Sequence, residues 1–343
     1  MKNPAVTIVI LNFNGIRDTR ICLKSLIKTS YNNCNILVVD NGSTKNEALI
    51  LAKEFKFKNI KFIRFPKNLG FSGGNNAVIP TIKTKYITLL NNDTIVPPKW
   101  LELLIDTLEK DNSIAAVQPK ILWEKNKKYF DYAGACGGFI DIFGYTFTKG
   151  RIFDSIEEDK KQYDYPCDIF WASGAAMVIR NNIFKEVGYF DERFFNYMEE
   201  IDLCYRINQA GFRIVCQPNS YIYHKVASTA SKHMLKKRFW EHRNNLFLLI
   251  KNYPLNKLIL IFPIRILLEC LSILYYIYKR RYSFALAVIL SQLSLLYLYP
   301  AIIFERIKIK RIENPRINKL IYKNSIVISY FILNKHKFSQ LHV

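Results

Sequence analysis

Short apolar runs alternate with segments of helical periodicity along residues 1–120. The runs are AVTIVIL at 5–11, ILVVD at 36–40, KFIRF at 61–65, YITLL at 86–90 and AAVQP at 115–119. Between them, apolar residues keep the i, i+3, i+4 spacing of helices that pack on a sheet: Leu23, Leu26 and Ile27, then Leu101, Leu104, Ile105 and Leu108. Strands that are apolar on both faces predict a Rossmann-like α/β fold, with a mostly parallel sheet flanked by helices.

Polar, glycine-rich stretches come directly after the predicted strands. They read NFNG at 12–15, DNGST at 40–44, NLGFSGGNN at 68–76 and NNDT at 91–94. Ligands of parallel α/β sheets bind outside the carboxyl ends of the strands. Because all four stretches belong to that edge of the sheet, they predict a binding pocket there.

Two strongly apolar segments of 21 residues each, at 258–278 and 284–304, follow this α/β region. A helix of that length spans about 30 Å, the thickness of a bilayer core. The first segment contains Arg265 and Glu269, so the uncharged second one is the better candidate for a span. A hairpin of both would carry residues 279–281, all basic, across the membrane, against the positive-inside tendency. We therefore predict membrane-associated helices that lie in or dip into the cytosolic leaflet; the alternative is a buried hairpin of a soluble domain.

The positive charge of the chain is concentrated in the same region. Lys and Arg number 50 against 28 Asp and Glu, a net charge of +22. From residue 236 to the end there are 19 basic and 4 acidic residues, which gives +15 and leaves only +7 for residues 1–235. Basic residues beside apolar helices suit an anionic lipid surface. A nucleic-acid-binding protein would carry its basic residues on the folded core, so we expect no nucleic-acid partner.

The cysteines and the N-terminus both favour a cytosolic location. None of the seven cysteines forms a C-x-x-C pair, and their odd number is typical of buried thiols in a reducing compartment. The N-terminal sequence MKNPAVTIVILNFNG contains no small-residue cleavage site, so no signal peptide is expected.

Two aspartates at predicted strand ends are candidates for ligand binding. Asp40 precedes the turn sequence Asn-Gly-Ser-Thr, and its carboxylate can accept the ring N–H of a pyrimidine base; the alternative is an Asx-turn or a helix cap. Asp93 stands in LLNNDTIVPP, where a carboxylate suits a hard cation that also binds phosphate oxygens. Neither aspartate is specific by itself.

The ordered set of motifs is specific. VTIVILNFNG, ILVVDNGST, NLGFSGGNNAV, LLNNDT, SGAAMVIR, GYFDERFFNYMEEIDLCYRINQAGFRI and YIYHKVAST occur in this order. Together they resemble the family 2 glycosyltransferases of the GT-A fold, and within them the rhamnosyltransferase-like branch that builds surface polysaccharides. The resemblance covers about residues 4–255, and it implies three regions: a nucleotide-sugar-binding half at 1–95, an acceptor-binding half of the same domain at 96–235, and a membrane-associating region at 236–343.

The resemblance implies a nucleotide cleft and a metal site. Asp40 would contact the uracil or thymine base, and the cleft would be lined by Asn12, Asn14, Asn68 and Gly70. Asp93 matches the last acid of the family's D-x-D motif, which here reads Asn91-Asn92-Asp93 and lacks its first acid. A divalent cation, Mn²⁺ or Mg²⁺, would then bind Asp93, the donor diphosphate and His224. His224 has an equally good alternative as a hydrogen-bonded histidine at a strand end.

The resemblance also implies the catalytic base. Glu199-Glu200-Ile201-Asp202 matches the family's E-D-x-D segment, whose second acid removes the acceptor proton; Glu200 holds that position, with Glu199 as the alternative. The helix dipole is expected to lower the pKa of this carboxylate, but acids also favour a first helical turn without catalysing anything. An acceptor and sugar subsite would include Trp171, Ser173, Gly174 and Asp202. Trp171 has an alternative as a core residue, and Asp202 as an i, i+4 ion pair with Arg206.

The implied function is an inverting, metal-dependent transfer of a sugar at the cytoplasmic face of the membrane. The donor would be a UDP or dTDP sugar, with rhamnose among the candidates, and the acceptor a saccharide or a lipid-linked saccharide. Two alternatives remain: a non-catalytic nucleotide-sugar-binding homologue, and a processive polysaccharide synthase. The synthases carry a Q-x-x-R-W segment, whereas here Arg238, Phe239 and Trp240 stand in another order.

Overall fold

The structure is a computed structural model that describes residues 3–131, 133–225, 234–308 and 315–343. Its strands are β1 Val6–Asn12, β2 Cys34–Asp40, β3 Ile60–Arg64, β4 Tyr86–Asn91, β5 Thr94–Ile95, β6 Ile114–Trp123, β7 Gly138–Asp141, β8 Thr146–Thr148, β9 Arg151–Ile152, β10 Ser155–Ile156, β11 Cys167–Asp168, β12 Ala176–Arg180, β13 Arg213–His224 and β14 Ile321–Tyr322. Its helices are α1 Ile16–Leu26, α2 Glu47–Glu54, α3 Gly70–Asn76, α4 Glu102–Lys110, α5 Asn181–Glu186, α6 Glu199–Gln209, α7 Met234–Asn252, α8 Leu255–Tyr278, α9 Tyr282–Lys308, α10 Pro315–Leu320 and α11 Ile326–Phe331.

The main sheet confirms the predicted α/β fold. Strands β3, β2, β1 and β4 are adjacent and parallel, and each coincides with a predicted apolar run. The other part of the sheet is mixed, because β12 runs antiparallel to both of its neighbours, β4 and β6. Strand β13 then pairs parallel with β6 and antiparallel with β5 and β11. The prediction of a parallel sheet therefore holds for β1 to β4, whereas the part of the sheet that contains β12 is mixed.

Strand register brings the predicted polar ends together. Asn12 at the end of β1 pairs with Asp40 at the end of β2, and Leu11 pairs with Asn91 at the end of β4. On one face of the sheet α1 and α4 bury the predicted stripe, including Leu23, Leu26, Leu101, Leu104, Ile105 and Leu108. Ile27 lies just beyond the end of α1 and is exposed. The apolar periodicity of the sequence therefore predicted both the polar edge of the sheet and the helix faces that pack on the sheet.

A second, small sheet is formed by β7 to β10 together with β14. Its strand order is β10, β9, β8, β7 and β14. Strand β14 comes from the chain end and pairs parallel with β7, and the ring of Phe338 packs against those of Phe139, Phe147 and Tyr163. Residues 315–343 therefore pack on the region assigned to acceptor binding, a placement that the sequence division at 236 did not anticipate.

The apolar C-terminal region forms two long helices, α8 and α9. Among the described residues, α8 is the helix long and apolar enough to cross a membrane, and only 11% of its most apolar window is buried; Tyr282–Leu298 of α9 is a shorter apolar stretch. Helix α9 continues beyond this stretch to Lys308, so the preference for the second segment as the better span stays a prediction. Arg265 and Glu269 are buried on the protein-facing side of α8 and do not interrupt its exposed apolar surface.

Candidate active site

A cleft of about 510 Å³ lies between the edge of the main sheet and the start of α6, with α7 and α8 as its far wall. It brings together side chains that are distant in the sequence. From the sheet come Asp93 and His224, and from α6 come Glu199 and Glu200. The segment Trp171–Ala175 contributes a third wall, and Arg265 reaches the cleft from α8.

Asp93 and His224 form a buried pair at the sheet edge. The antiparallel pairing of His224 with Thr94 places the imidazole beside the residue before β5, and Nε2 of His224 lies 3.1 Å from Oδ1 of Asp93. On the other side, Nδ1 of His224 is 2.8 Å from Oδ2 of Asp131. Burial alone would lower the pKa of His224, but the two carboxylates outweigh it and raise this pKa to about 10. The same contact with His224 lowers the pKa of Asp93 against the opposing effect of burial.

The donor set of this pair fits a divalent cation. A metal-binding histidine generally donates its second ring N–H to a carboxylate or a carbonyl, and Asp131 occupies that position here. Oδ1 of Asp131 is also buried, and no described residue forms a hydrogen bond with it. A cluster of three or more metal-ligating acids, histidines or cysteines is not found in the described part of the chain, so most ligands would come from substrate or water.

Of the other two residues in the degenerate D-x-D motif, only Asn91 reaches the cleft. Its Nδ2 lies 3.4 Å from Nε2 of His224. Asn92 points away, and its amide donates to Thr19 at 3.0 Å and to Asn12 at 3.3 Å. The motif therefore contributes one carboxylate and one amide to the cleft.

Glu199 and Glu200 begin α6 and line the cleft. Oε2 of each side chain is buried and has no hydrogen-bond partner within the described residues. Burial raises the pKa of Glu200 to about 7. Burial, together with the charge of Glu200, raises the pKa of Glu199 well above its ordinary value. The expectation of a lowered pKa was therefore wrong, because desolvation outweighs the backbone hydrogen bonds at the helix start.

A strained segment presents these two acids. Phe195, Tyr197 and Met198 all have positive φ, at 58°, 69° and 70°, a conformation that residues other than glycine adopt only where the surroundings stabilise it. Asn244 of α7 supplies the stabilisation. Its buried Nδ2 lies 2.7–2.9 Å from the carbonyl oxygens of residues 194, 196 and 197. The conformation of residues 195–198 therefore depends on a helix that begins more than thirty residues later in the chain.

Asp40 and Asn12, which were predicted to line the nucleotide cleft, form hydrogen bonds with other groups of the protein. Asp40 is fully buried, and its carboxylate accepts the backbone N–H groups of Ser43, Glu47 and Ala48 at 2.9–3.3 Å. Asn12, also buried, donates to Oε2 of Glu47 at 2.8 Å. The helix-cap alternative for Asp40 therefore describes its contacts.

Asn14, Asn68 and Gly70 shape the loops beside this network. Asn14 has φ of 52° and its Oδ1 accepts Thr44 N–H at 2.9 Å. Oδ1 of Asn68 accepts the N–H of Gly70 at 2.8 Å. Gly70 has φ of 74°, and a Cβ there would meet the carbonyl oxygen of Phe195 at 2.5 Å, so only glycine fits. These residues therefore set the loop conformation next to the segment that carries Glu199 and Glu200.

The predicted acceptor subsite divides into two groups. Trp171, Ser173 and Gly174 line the cleft, and Trp171 is also a core residue whose Nε1 donates to the carbonyl oxygen of Phe139 at 2.9 Å. Asp202 lies on the other face of α6 and is fully buried, where it accepts from Arg206, Lys251 and Asn252. The ion-pair alternative therefore describes Asp202.

Sequence reasoning missed three side chains of the site: Asp131, Asn244 and Arg265. Asp131 lies behind His224 in a loop without a recognisable motif. Asn244 lies in HRNNLFLLIKNYP at 242–254, which is within the range of the resemblance but was not assigned a role in the site. Arg265 had a visible signal, a charge within an apolar run, but it was counted against a membrane span and not as part of a site.

Comparisons with known proteins agree with this architecture. Residues 7–188, slightly more than half of the chain, match the family described as Glycosyl transferase family 2. The O-antigen biosynthesis protein RfbC of Myxococcus xanthus is 24% identical over 245 residues, which cover 69% of this chain but only 18% of that protein. The N-acetylglucosaminyl-diphospho-decaprenol L-rhamnosyltransferase of Mycobacterium tuberculosis is 24% identical over 226 residues, 60% of this chain and 72% of that protein.

One solved structure extends the comparison to the fold. The crystal structure of GalNAc-T7 with UDP, GalNAc and Mn²⁺ superposes with a TM-score of 0.56 at 18% identity, over 71% of this chain and 47% of that one. At this identity the likeness concerns the fold. The family match ends at residue 188, so Glu199, Glu200 and His224 lie beyond it.

Proposed function

Since this chain belongs to glycosyl transferase family 2 and has the GT-A fold, we propose that it transfers a sugar from a nucleoside diphosphate to a hydroxyl group of a saccharide or a lipid-linked saccharide. One observation carries the proposal. The Asp93–His224 pair lines the same cleft as the carboxylates of Glu199 and Glu200, each of which has one buried oxygen without a hydrogen-bond partner among the described residues. A cation site and a base on one cleft are the two protein groups that transfer from a diphosphate needs, because the leaving group departs without a proton.

The cation in this proposal is Mn²⁺ or Mg²⁺, held by Asp93 and His224 together with the donor diphosphate. It would neutralise the negative charge that develops on the departing nucleoside diphosphate. The Mn²⁺ in the GalNAc-T7 structure supports a divalent cation in this fold. Asp131 would orient His224 so that Nε2 faces the cation.

The base in this proposal is Glu200, with Glu199 as the alternative. The acceptor oxygen bonds to the anomeric carbon of the donor sugar while the bond from that carbon to the diphosphate oxygen breaks, and Glu200 takes the hydroxyl proton. A carboxylate whose pKa is about 7 suits this role, because a base is most effective when its pKa is near the working pH. A single displacement inverts the configuration at that carbon.

The donor in this proposal is a UDP or dTDP sugar, and rhamnose is the favoured sugar because a relative is a rhamnosyltransferase. The nucleotide would lie against the loops that follow β1, β2 and β3, with its base towards Asp40. Base recognition by Asp40 needs its own test, since both of its oxygens already accept backbone N–H groups.

The membrane part of the proposal is a monotopic protein at the cytoplasmic face. Arg265 and Glu269 lie near the middle of α8, and Arg265 lines the cleft. If α8 crossed a bilayer, the middle of the helix, and with it this part of the cleft, would lie in the hydrocarbon core. An α8 that lies along the surface keeps the cleft in water and leaves the exposed leucines of α8 in lipid.

The test is a transfer assay on the full-length protein in detergent with UDP and dTDP sugars, with and without Mn²⁺. We expect nucleoside diphosphate release that requires the cation and an acceptor, and loss of that release in Glu200→Gln. Donor binding without turnover in any combination would contradict the proposal and favour a non-catalytic homologue. Product of unchanged anomeric configuration, determined by NMR, would contradict the single displacement.

A further inference from the structure

The exposed face of the short helix α11 is apolar. Ile328, Phe331 and Ile332 follow the i, i+3, i+4 spacing that puts them on one side of the helix, and Leu333 comes directly after them. These four residues, which we call the α11 patch, are 44–69% exposed. A helix on the surface of a soluble protein normally turns polar residues outward, so a contiguous apolar face indicates a partner with an apolar surface.

The opposite face of α11 is fixed to the rest of the protein. The N–H of Ile326 donates to Oδ2 of the buried Asp141 at 2.9 Å. Ser329 is buried as well, and its hydroxyl oxygen lies 3.0 Å from that of Tyr322. The α11 patch is therefore held outward by the packing of the other face, and its exposure does not come from a loose chain end.

Helix α11 is connected through Asp141 to the middle of α8. Oδ1 of Asp141 accepts the N–H of Tyr145 at 2.8 Å. The ring centre of Tyr145 lies 3.5 Å from the guanidinium of Arg265, which belongs to the middle of α8. The α11 patch is therefore on an element close to α8, the helix whose exposed leucines the proposed function assigns to lipid.

The α11 patch also adjoins the wall of the cleft. The ring centre of Phe153, which lines the cleft, lies 5.0 Å from that of Tyr330 and 5.2 Å from that of Phe331. The hydroxyl oxygen of Tyr330 is 2.9 Å from that of Ser155. A surface that covered the α11 patch would therefore lie next to Phe153.

The segment that contains the patch is basic. Residues 315–343 contain no Asp or Glu and five basic residues, Arg316, Lys319, Lys323, Lys335 and Lys337. Arg316 is paired with Asp168. Lys323 and Lys337, which precede and follow α11 in the sequence, are exposed. Cations beside an apolar face suit a partner that combines an apolar layer with anionic groups.

The hairpin of β9 and β10, which packs against α11, adds charges of both signs. It contributes the cation Arg151 and the acid Asp154, and Glu157 follows it. Glu157 accepts the N–H of Phe338 and the hydroxyl of Tyr163, both at 2.9 Å. Together with the lysines at 323, 335 and 337, the cations outnumber these acids. Two copies of the chain would bring this basic excess against itself, whereas anionic lipid head groups complement it.

We propose that the α11 patch is a second membrane contact, whose four apolar side chains enter the acyl layer of an anionic bilayer. This inference rests on the proposed function, which places the protein on the membrane, and it adds a contact outside both apolar segments, 258–278 and 284–304. Together, α8 and the α11 patch would fix the orientation of the α/β domain and hold the part of the cleft around Phe153 at the lipid surface.

The test measures tryptophan fluorescence of the full-length protein in vesicles of equal parts phosphatidylcholine and phosphatidylglycerol, with or without bromine on the acyl chains of the phosphatidylcholine. Bromine there quenches fluorophores that lie in the acyl layer. We expect the fluorescence that Ile332→Trp adds to the wild type to be quenched at least twofold. Leu49→Trp is the matched control, because Leu49 is 52% exposed but lies on α2, and its added fluorescence should not be quenched.

The anionic character of the partner is tested with two changes. One uses vesicles of phosphatidylcholine alone, and the other adds Lys335→Gln and Lys337→Gln to the Ile332→Trp variant in the mixed vesicles. In both, the quenching is expected to fall at least twofold. Quenching of equal extent in all three conditions would overturn the anionic bilayer as the partner.

Two other outcomes would overturn the membrane contact itself. One is the absence of quenching in both Ile332→Trp and Leu333→Trp; the second variant keeps the test valid if the first disturbs the end of α11. The other is an emission that moves to shorter wavelength as the protein density in the vesicles rises and is not quenched by bromine. That result would assign the α11 patch to a contact with a second copy of this chain.

The experiment also separates this inference from the proposed function. Leu267→Trp reports on the exposed face of α8 in the same vesicles. Quenching of Leu267→Trp without quenching of Ile332→Trp would overturn only the inference. Quenching of Ile332→Trp without quenching of Leu267→Trp would overturn only the placement of α8 in lipid. The measurement uses neither donor nor cation, so its result does not depend on turnover.

Discussion

Two acidic residues, Asp40 at the end of β2 and Glu200 at the start of α6, have opposite surroundings. Asp40 is fully buried, and its oxygens accept three backbone N–H groups at the start of α2. Glu200 lines the cleft at the start of α6, where its Oε2 has no hydrogen-bond partner in the described part of the chain and burial raises its pKa to about 7. In the structure both carboxylates lie at the N-terminal end of a helix, α2 for Asp40 and α6 for Glu200. The difference teaches that an acid whose partners are all in the protein shapes the backbone, whereas an acid with an open oxygen on a cleft is poised for a ligand.

The same contrast extends to the regions around them. Around Asp40, the polar side chains of Asn12, Asn14 and Asn68 have partners within the protein. Around Glu200, the cleft is lined by Glu199, Asn245 and Arg265, which each have at least one buried polar atom without a partner among the described residues. Because an unpaired buried polar group costs about 1–3 kcal/mol, the second region is the one where a bound ligand would add stability.

The largest effect on catalysis is expected from a substitution of Glu200. Glu200→Gln keeps the shape of the side chain but removes the proton acceptor, so kcat should fall by about 10²–10⁴-fold while donor affinity stays near wild type. Steady-state kinetics and donor titration measure both. Glu199→Gln is the matched control, and if it is the inactive variant while Glu200→Gln is active, the base is Glu199.

Loss of Asp93 should remove cation-dependent donor binding. Removal of an outer partner of a metal ligand typically costs about 10–100-fold in metal affinity, and Asp93→Ala removes a ligand itself, so a larger loss is expected. Electron paramagnetic resonance titration of Mn²⁺ measures it without any assay of turnover. Asn92→Ala, whose amide points away from the cleft, is the control; wild-type Mn²⁺ affinity in Asp93→Ala would refute the cation site.

Asn244→Asp should impair catalysis through the segment before Glu199. The variant replaces the amide donor with an acceptor, so the carbonyl groups of residues 194, 196 and 197 lose their common partner. A misplacement of about 1 Å can cost roughly 10²-fold in rate, and kcat should fall by that order while the KM for donor changes little. The midpoint of the pH–rate profile should move as well, since the burial of Glu200 changes. An unaltered profile with reduced kcat would mean that Asn244 has only a structural role.

The activity of the wild type should depend on pH through Glu200. The base acts when it is deprotonated, so the rate should rise through about pH 7, level off above it and be about tenfold lower one unit below. Stability should change in the opposite direction. The folded-state pKa lies above the unfolded value, so stability is lost as the pH rises towards 7, and Glu200→Gln should unfold at a higher temperature than wild type at pH 8. A lower unfolding temperature at pH 8 would contradict the raised pKa.

The smallest effect on catalysis is expected from a substitution of Asp40. Asp40→Ala removes the acceptor of the backbone N–H groups of Ser43, Glu47 and Ala48, and each buried polar group left without a partner costs about 1–3 kcal/mol in the free energy of unfolding, measurable by denaturant titration. If Asp40 also recognises the base, the variant should lose affinity for UDP or dTDP but not for ADP. An equal change for every nucleotide would restrict Asp40 to its role as a cap.

The local pattern of residues was enough to predict the parallel half of the sheet, the helix faces that pack on it and the positions of the polar loops. Strands β1 to β4 and the stripes of α1 and α4 follow from apolar periodicity, which is a property of successive residues. It also identified Asp93, His224, Glu199 and Glu200 as candidates, because the ordered motifs resemble a known family, and the structure places all four on one cleft.

Which polar residues have hydrogen-bond partners within the protein depends on tertiary contacts. Asp40 and Glu200 are both acidic residues in the sequence. The surroundings of Asp40 are set by the backbone N–H groups of α2, and those of Glu200 by its burial beside Glu199. The strained segment at 195–198 depends on Asn244, and the orientation of Arg265 depends on Tyr145 and Glu269. These contacts join elements far apart in the chain, and the burial and pairing of a polar group depend on such distant neighbours, which local periodicity does not encode.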